Sequence, residues 1–331
     1  MDARYFLGID GGGTKTEAVL IDQTGRILAR DKAGSSNPND VGLDQSVDLL
    51  IALSDGLLRK TGLTPADVNL FGGISGVINH RDAMLRMISD RRHYNRLDVQ
   101  SDGINLVSSE LDEGDGAAII CGTGSACFLR MGRELIRIGG WGYLLDSAGS
   151  GYDIGRQAVE AALRAHDKRG EATLLSGLIT EALGAPAEQS ITKLYAEGKP
   201  LIASLAPLVF KADEQGDRQA DLILDRNAAA LAEYIVTAYR WLCDAGRQPA
   251  RMPVVIGGGI GQHYGKRWTD RIAAHVGKDV PADISVACNP VVWGPVVEAV
   301  RLNAAHDDLD KMKATFLRDY TKPQTDAVNA N

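Results

Sequence analysis

Three short turns rich in glycine and small hydroxyl side chains hold the residues whose types and spacing could do chemistry. They occupy residues 10–16, 122–125 and 257–261, and an apolar run precedes each of them. Glycine allows a tight turn that brings backbone N–H groups close to one ligand, as phosphate oxygens require. One such turn alone is more often an ordinary hairpin turn, but three in one chain favour a phosphate site. The predicted contacts are Gly11, Gly12, Gly13, Thr14, Lys15, Thr16, Gly122, Thr123, Gly124, Ser125, Gly257, Gly258 and Gly259.

These turns do not match the two commonest nucleotide-binding loops. No Gly-Lys pair followed by Ser or Thr stands at Walker A spacing. No Gly-x-Gly-x-x-Gly motif opens a helix after a strand in a βαβ unit, so a Rossmann interpretation is weak. The pattern therefore predicts a phosphate site of a different kind.

Two carboxylates lie where a phosphate site would use them. Asp10 begins the first turn, where its hard oxygen would hold Mg²⁺ through water beside a nucleotide phosphate; alternatively it caps its own turn. Asp102 follows a predicted strand, at the sheet edge where ligands collect. It is the candidate base for an acceptor hydroxyl in phosphoryl transfer, or alternatively the N-cap of the next helix. Asn37 and the Ser75–Gly76 loop end neighbouring elements.

Apolar runs separated by turns predict that the first 115 residues form an α/β lobe with a mixed sheet, in β-β-β-α-β-α-β order. Two strands joined by the first glycine turn make a hairpin, and a third strand and an amphipathic helix follow. The predicted strands cover 5–9, 16–21, 26–29, 68–74 and 97–100, and the helix buries Val47, Leu50, Ile51, Leu57 and Leu58.

The hairpin pattern starts again at Ala117, with an apolar strand, the second glycine turn and a returning strand to Arg130. We interpret it as an internal duplication with low sequence identity between the copies. Residues 153–247 are predicted to be largely helical. Further elements are an apolar helix face of Leu231, Ile235, Ala238 and Leu242, a strand over 252–256 and a helix over 295–303.

Composition excludes several classes of protein. The chain has 36 Lys and Arg against 43 Asp and Glu, a net charge of −7, which argues against a broad nucleic-acid-binding face. The longest apolar stretch, 228–243, is interrupted by Glu233 and Arg240, so we expect no membrane span. The cysteines form no Cys-x-x-Cys pair, which favours reduced thiols in a cytoplasmic protein. They are Cys121, Cys127, Cys243 and Cys288.

Taken together, the motifs resemble the N-acetylglucosamine kinase family, in the BadF/BadG/BcrA/BcrD ATPase group of the sugar kinase, Hsp70 and actin superfamily. They are GIDGGGTKT at 8–16, SD at 101–102, CGTGS at 121–125 and GGWG at 139–142, in the family's order. The resemblance implies an α/β fold of two ribonuclease-H-like, actin-like ATPase lobes with a nucleotide cleft between them. We expect an N-terminal lobe of 1–115 plus about 300–317, a C-terminal lobe of 116–299, and a polar surface tail over 318–331.

The resemblance also implies an activity: ATP-dependent phosphorylation of the 6-hydroxyl of an amino sugar, such as N-acetylglucosamine, N-acetylmuramic acid or glucosamine. Asp102 would be the base, Asp10 would place Mg²⁺, and the three turns would hold ATP. Trp141 would be a wall of the sugar pocket, although a tryptophan between glycines is most often a packing residue. The predicted sugar contacts are Asn37, Ser75, Gly76, Thr123, Gly140, Trp141, Asp146 and Ser147.

One departure from the family pattern affects the predicted sugar. After Gly-Gly-Trp-Gly the family usually has Gly-Asp-Glu-Gly-Ser-Gly, whose acidic residue faces the sugar. Residues 145–151 here are LDSAGSG, so Ser147 and Ala148 replace both acidic residues and Asp146 comes one place earlier. Either Asp146 takes over the contact, or the substrate lacks or alters a hydroxyl there.

Two other functions fit parts of the sequence. An activator-type ATPase of the wider group would couple ATP hydrolysis to a protein partner through a cysteine-bound iron–sulfur cluster. Cys121 and Cys127 flank the second turn, although buried thiols are the commoner explanation. A sugar-sensing repressor would need a DNA-binding domain before Asp10, and we expect none in the nine preceding residues. The expected partner is a small amino sugar, with no nucleic acid or membrane; the resemblance also allows a homodimer.

Overall fold

The computed structural model of the chain describes residues 3–111, 114–132, 134–303 and 308–322. Over these ranges it contains ten strands, twelve α-helices and two short 3₁₀-helices, Pro65–Asp67 and Ala187–Gln189. The strands are β1 Tyr5–Gly11, β2 Thr16–Asp22, β3 Ile27–Ala33, β4 Val68–Ile74, β5 Arg96–Ser101, β6 Gly116–Cys121, β7 Ser125–Met131, β8 Glu134–Ile138, β9 Met252–Gly257 and β10 Ala282–Val286. The helices are α1 Pro38–Val41, α2 Leu43–Thr61, α3 Arg81–Arg91, α4 Gly103–Glu110, α5 Gly151–His166, α6 Leu175–Leu183, α7 Ile191–Ser204, α8 Ala206–Glu214, α9 Arg218–Asp244, α10 Gly258–His275, α11 Trp293–Arg301 and α12 Leu309–Tyr320.

The described residues divide into two compact units. Unit 1 contains residues 3–111 together with the described residues from 288 onwards, and unit 2 contains the described residues from 114 to 287. Each unit has its own apolar core, in unit 1 between its sheet and α2 and α3, and in unit 2 between its sheet and α5 to α10.

The sheet of unit 1 has the strand order β3-β2-β1-β4-β5. The β1–β2 and β2–β3 pairs are antiparallel, whereas β4 and β5 extend the sheet in parallel from β1. Because β1, β4 and β5 run in the same direction, their carboxyl ends meet at one edge of the sheet. This mixed α/β arrangement confirms the predicted fold class for the first lobe.

The sheet of unit 2 repeats that topology, with the order β10-β9-β6-β7-β8. The β6–β7 and β7–β8 pairs are antiparallel, and β9 and β10 are parallel to β6. Helices α5 to α9 are inserted between β8 and β9. The matching strand orders agree with the interpretation of an internal duplication, and the predicted face of α9 is buried at Leu231, Ile235, Ala238 and Leu242.

The boundary of unit 2 differs from the predicted lobe of 116–299. The chain joins unit 1 from residue 288, because Glu110 accepts hydrogen bonds from the backbone N–H groups of Cys288 and Asn289 at 2.8 and 2.7 Å. Helix α11 then packs on β1 and α4. Asn69 fixes its end by donating to the Ala299 carbonyl at 3.2 Å.

The carboxyl-terminal region also differs from the predicted tail of 318–331. Helix α12 continues through Arg318 to Tyr320, and Tyr320 Oη donates to Glu17 Oε1 at 2.9 Å. The rest of the predicted tail, from residue 323, lies outside the described residues. Within the described ranges, every helix is too short or too polar to span a lipid bilayer.

Candidate active site

The carboxyl ends of the parallel strands in unit 1 bring the predicted carboxylates to one edge of the sheet. Gly11 of β1 pairs with Ile74 of β4, and Ile74 pairs with Ser101 of β5. Asp10 and Asp102 therefore lie at the same edge, with Ser75 and Gly76 following the strand between them. The register explains why residues from three separate segments come together here, as is usual for ligand sites in open α/β sheets.

Asp10 is half-buried and is held by Asn105, a fully buried residue of α4. Asn105 Nδ2 donates to Asp10 Oδ1 at 2.7 Å and to the Gly73 carbonyl at 2.9 Å. Burial raises the pKa of Asp10 from 3.8 to about 6, and the negative charge of Asp102 acts in the same direction, whereas the bond from Asn105 opposes them. A nearby cation would strongly favour the ionised form of such a carboxyl group.

The surroundings of Asp10 fit a divalent cation. Asn105, whose Nδ2 bonds Asp10, has a buried Oδ1 without a hydrogen-bond partner. Magnesium commonly takes one or two carboxylates, keeps several waters and shares the substrate's phosphates. No group of three or more His, Cys, Asp or Glu among the described side chains forms a complete metal cage. Unit 1 therefore offers the sparse type of donor set that Mg²⁺ uses with a nucleotide.

Asp102 stands at the start of α4 but does not cap it. Its side chain accepts no capping hydrogen bond from the helix, and its backbone is already helical. Ser101 Oγ donates to Asp102 Oδ1 at 3.2 Å, and the side chain is half-buried. The alternative of an N-cap is therefore not realised, and the carboxylate is placed at the sheet edge where a base could receive a proton.

The first glycine turn, residues 12–15, closes the β1–β2 hairpin. The Gly12 N–H donates to the Lys15 carbonyl at 2.9 Å. Gly13 and Thr14 are exposed, and their N–H groups donate to nothing in the described part of the chain. Thr16 differs from its prediction, because its buried hydroxyl donates to the Gly34 carbonyl at 2.8 Å and has no hydrogen left for a phosphate.

Asn37 lies beside the loop after β4, as its predicted role requires. It caps α1 by accepting a hydrogen bond from the Asn39 N–H at 3.0 Å, and Asn39 Nδ2 donates to the Gly76 carbonyl at 3.4 Å. The Ser75 N–H donates to the Gly11 carbonyl at 2.8 Å. These bonds join Asn37, Ser75 and Gly76 to the end of β1, so the predicted contacts of unit 1 form one group.

The second glycine turn, residues 122–124, has the same construction in unit 2. The Gly122 N–H donates to the Gly124 carbonyl at 2.9 Å, and the first turn of α5 donates to the Gly122 and Thr123 carbonyls at 2.7 and 3.3 Å. Thr123 is exposed, and its side chain makes no hydrogen bond within the described ranges. Ser125 differs from its prediction, because its buried hydroxyl donates to the Ala148 carbonyl at 2.7 Å.

The third turn lies next to the second at the end of the unit 2 sheet. Gly257 ends β9 and pairs with Ile120, and Gly258 and Gly259 begin α10. Gly258 has a φ of +87°, and a Cβ there would lie 2.6 Å from the Cys121 carbonyl. Only glycine fits such a turn, and the amino-terminal end of α10, which favours an anion, lies beside the second turn.

The segment from Gly139 to Ser147 contains the other predicted sugar contacts. Trp141 is 64% exposed, and the Arg137 guanidinium lies 5.0 Å from the centre of its ring. The packing role considered for Trp141 is therefore not realised, since most of the ring faces solvent. Arg137 also donates to the Gly139 and Gly140 carbonyls, which fixes the backbone before the tryptophan.

Asp146, the displaced acidic residue, is held by Tyr234 from α9. Tyr234 Oη donates to Asp146 Oδ1 at 3.2 Å, and burial raises the pKa of Tyr234 to about 12, with the charge of Asp146 adding to the effect. Ser147 differs from its prediction as a sugar contact. Its side chain is buried, and its hydroxyl donates to the Tyr143 carbonyl at 3.2 Å.

Four polar residues that support or adjoin these groups were not predicted from the sequence: Asn105, Asn227, Tyr234 and Lys199. Asn227 is buried on α9 and accepts a hydrogen bond from the Gly149 N–H at 2.8 Å. A single polar residue in an apolar helix segment was the available signal for Asn105, because buried amides need partners. Asn227 directly follows Asp225 and Arg226 and has no such signal. No local signal marks Tyr234 or Lys199, since their contacts depend on how distant helices pack.

Cys121 and Cys127 are fully buried in β6 and β7. Cys121 Sγ donates to the Gly149 carbonyl at 2.8 Å, and burial raises the pKa of both thiols to about 12. Since metal clusters bind thiolates, groups this hard to ionise are poor cluster ligands. Their geometry favours packing over the iron–sulfur alternative.

Two mixed five-stranded sheets of the same topology, each with a glycine turn in its central hairpin, are the architecture of the actin-like ATPase fold. The structure of a candidate N-acetylglucosamine kinase from Chromobacterium violaceum is similar to this one, with a TM-score of 0.70 and 23% identity. The match covers 90% of this chain and 99% of the other.

The chain belongs to the BadF/BadG/BcrA/BcrD ATPase family, whose model matches residues 7–290. It is 34% identical to the N-acetyl-D-glucosamine kinase of Dictyostelium discoideum, over 71% of this chain and 79% of the relative. It is also 34% identical to the N-acetylmuramic acid/N-acetylglucosamine kinase of Clostridium acetobutylicum, over 69% and 77% of the two chains. These findings confirm the family and the fold class inferred from the motifs.

Proposed function

We propose that this protein is a kinase that transfers the terminal phosphoryl group of ATP to the 6-hydroxyl of an amino sugar, N-acetylglucosamine or a close relative. The observation that carries the proposal is the position of Asp102. Its carboxylate lies at the same sheet edge as Asp10 and does not cap helix α4. The kinase relatives at 34% identity support the amino sugar as the acceptor.

In the proposed reaction, Asp102 accepts the proton of the 6-hydroxyl as that oxygen forms a bond to the terminal phosphorus. The bond from that phosphorus to the bridging oxygen breaks, and ADP leaves. Phosphoryl transfer has a loose transition state, so most of the catalysis is positioning and charge neutralisation. Mg²⁺, when bound by Asp10 and water, supplies positive charge to the phosphates.

The turns of both units would hold the nucleotide through their backbone. Gly13 and Thr14 in unit 1, and Thr123 and Gly124 in unit 2, have N–H groups with no acceptor among the described residues. Such groups are fixed dipoles that need no reorganisation during the reaction. The three hydroxyls that the structure finds engaged with carbonyls, those of Thr16, Ser125 and Ser147, have no part in this proposal.

The sugar contacts in the proposal are Asn37 and Gly76 in unit 1 and Trp141 and Asp146 in unit 2. Asp146 is one residue earlier than the acidic residue usual in the family, and the bond from Tyr234 Oη fixes its carboxylate. A fixed carboxylate binds sugar hydroxyls by charge-assisted hydrogen bonds. We therefore assign to Asp146 the role that the replaced acidic residues have in the family.

A panel of acceptors tests the proposal. The release of ADP from Mg-ATP would be measured with N-acetylglucosamine, glucosamine, N-acetylmannosamine, N-acetylmuramic acid, glucose and no sugar. We expect turnover well above the sugar-free rate with one or two of the amino sugars only. A rate that no sugar changes would contradict the proposal and would favour an ATPase that acts with a protein partner.

A further inference from the structure

Helix α7 breaks at a point that brings a lysine to the second glycine turn. Gly198 has φ +60° and ψ −140°, a conformation outside the helix that side chains other than glycine rarely adopt. Lys199 follows directly, and a Cβ built on Gly124 would lie 3.7 Å from the Lys199 Nζ. The break in the helix therefore leaves an ammonium group close to the turn of residues 122–124.

Lys199 has no carboxylate partner in the described parts of the chain. Its ammonium group instead lies over an aromatic ring, with Nζ 5.5 Å from the centre of the Tyr143 ring. Tyr143 in turn packs edge-on against Tyr152 at 5.0 Å, and the Tyr152 N–H donates to the Thr123 carbonyl. The lysine is half-buried, so part of its hydration is lost without compensation by a negative charge.

The first and second glycine turns differ in whether their own residues include a cation, and Lys199 supplies one to the second turn. The first turn carries a cation in its own sequence, Lys15, whereas residues 122–125 contain none. Both turns leave backbone N–H groups without acceptors, those of Thr123 and Gly124 in the second. Lys199 adds a positive charge to these groups, and the combination has the chemistry of an anion site rather than of a site for a neutral sugar.

We infer that Lys199 is a further substrate-binding residue, whose ammonium group contacts the phosphate oxygens of the nucleotide at the second turn. This inference rests on the proposed function, since it takes ATP as the ligand. In it, Gly198 positions the lysine and Tyr143 holds the ammonium near the turn when no nucleotide is bound. The ligand class is a nucleoside polyphosphate, and adenosine without phosphates lacks the group that Lys199 recognises.

Calorimetric titration of ATP and of adenosine tests the inference. In Lys199→Met we expect the Kd for ATP to rise about 10- to 100-fold, the range of a hydrogen bond to a charged group. The Kd for adenosine should stay within about twofold, and Lys199→Arg should retain most of the affinity for ATP because it keeps the charge. Lys211→Met is the matched control, because Lys211 is an exposed lysine of the same unit without a polar partner in the described ranges.

Two results would overturn the assignment of Lys199. One is an affinity of Lys199→Met for ATP within about twofold of the wild type, since a lost charge-assisted contact costs more than that. The other is an equal loss for ATP and adenosine, which would show a disturbed fold rather than a lost phosphate contact. Failure of the wild-type protein to bind ATP at all would instead contradict the proposed function itself.

Discussion

Replacement of Asp102 by asparagine is expected to lower kcat by about 10²- to 10⁴-fold, the usual contribution of a general base. The amide has nearly the same shape but cannot accept the proton of the 6-hydroxyl. Asp102 does not cap α4, so the substitution removes no capping bond and the fold should persist. The kinetics of purified Asp102→Asn with N-acetylglucosamine and Mg-ATP measure the effect.

The same variant should bind ATP with little change. Asp102 raises the pKa of Asp10 through its negative charge, so its removal makes the metal-binding carboxylate easier to ionise. Asp90→Asn is the matched control, since Asp90 is an exposed aspartate of unit 1 without a polar partner among the described residues. A kcat of Asp102→Asn close to that of Asp90→Asn would rule out the role of a base for Asp102.

Replacement of Asp10 by asparagine should have opposite effects on activity and on stability. We expect turnover to fall about 10²- to 10³-fold, the range for removal of one electrostatic group from an active site. We expect the metal-free variant to be more stable than the wild type at pH 8. The reason is that burial raises the pKa of Asp10 from 3.8 to about 6 in the folded protein, so folding disfavours its charged form.

The direction of the pH effect follows from proton binding. Between about pH 4 and pH 6 the folded protein holds a proton on Asp10 that the unfolded chain has released, so stability falls as the pH rises through this window. Above about pH 6 this loss of stability is complete, and it lowers the free energy of unfolding by on the order of 3 kcal/mol. Asparagine has no charge, and its Oδ1 can accept the bond from Asn105, so the variant lacks this loss.

Denaturant unfolding in EDTA at pH 4 and at pH 8 measures this difference. The free energies of unfolding of wild type and Asp10→Asn should be similar at pH 4 and should diverge in favour of the variant at pH 8. Asp90→Asn should follow the wild type at both values. An Asp10→Asn protein that is less stable than the wild type at pH 8 would show that the Asp10 carboxylate stabilises the fold.

Much of the fold could be predicted from local sequence patterns. The two glycine-turn hairpins were predictable because two apolar runs joined by a short glycine-rich turn are a local signal in the sequence. The edge strands β8 and β10 were not predicted, since their residues are mostly half-buried and carry a weak apolar pattern. The entry of residues 288–299 into unit 1 depends on Glu110 and Asn69, whose partners lie far away in the chain.

The candidate site was predictable in its backbone but less so in its side chains. The glycine turns and Asp10 and Asp102 occur where strand ends can be recognised from sequence. Three predicted hydroxyl ligands, Thr16, Ser125 and Ser147, donate instead to nearby carbonyls. Short hydroxyl side chains often satisfy backbone groups, and residue type alone cannot separate that use from ligand binding.

The most direct test of the central claim is to identify the product. Wild-type protein would be incubated with Mg-ATP and either N-acetylglucosamine or its 6-deoxy analogue, and the sugars would be analysed by mass spectrometry and phosphorus NMR. We predict a single monophosphate with the phosphoryl group on O6 of N-acetylglucosamine, and an unchanged 6-deoxy analogue. ADP formed without a phosphorylated sugar, or phosphorylation of the 6-deoxy analogue at another hydroxyl, would contradict the proposed kinase.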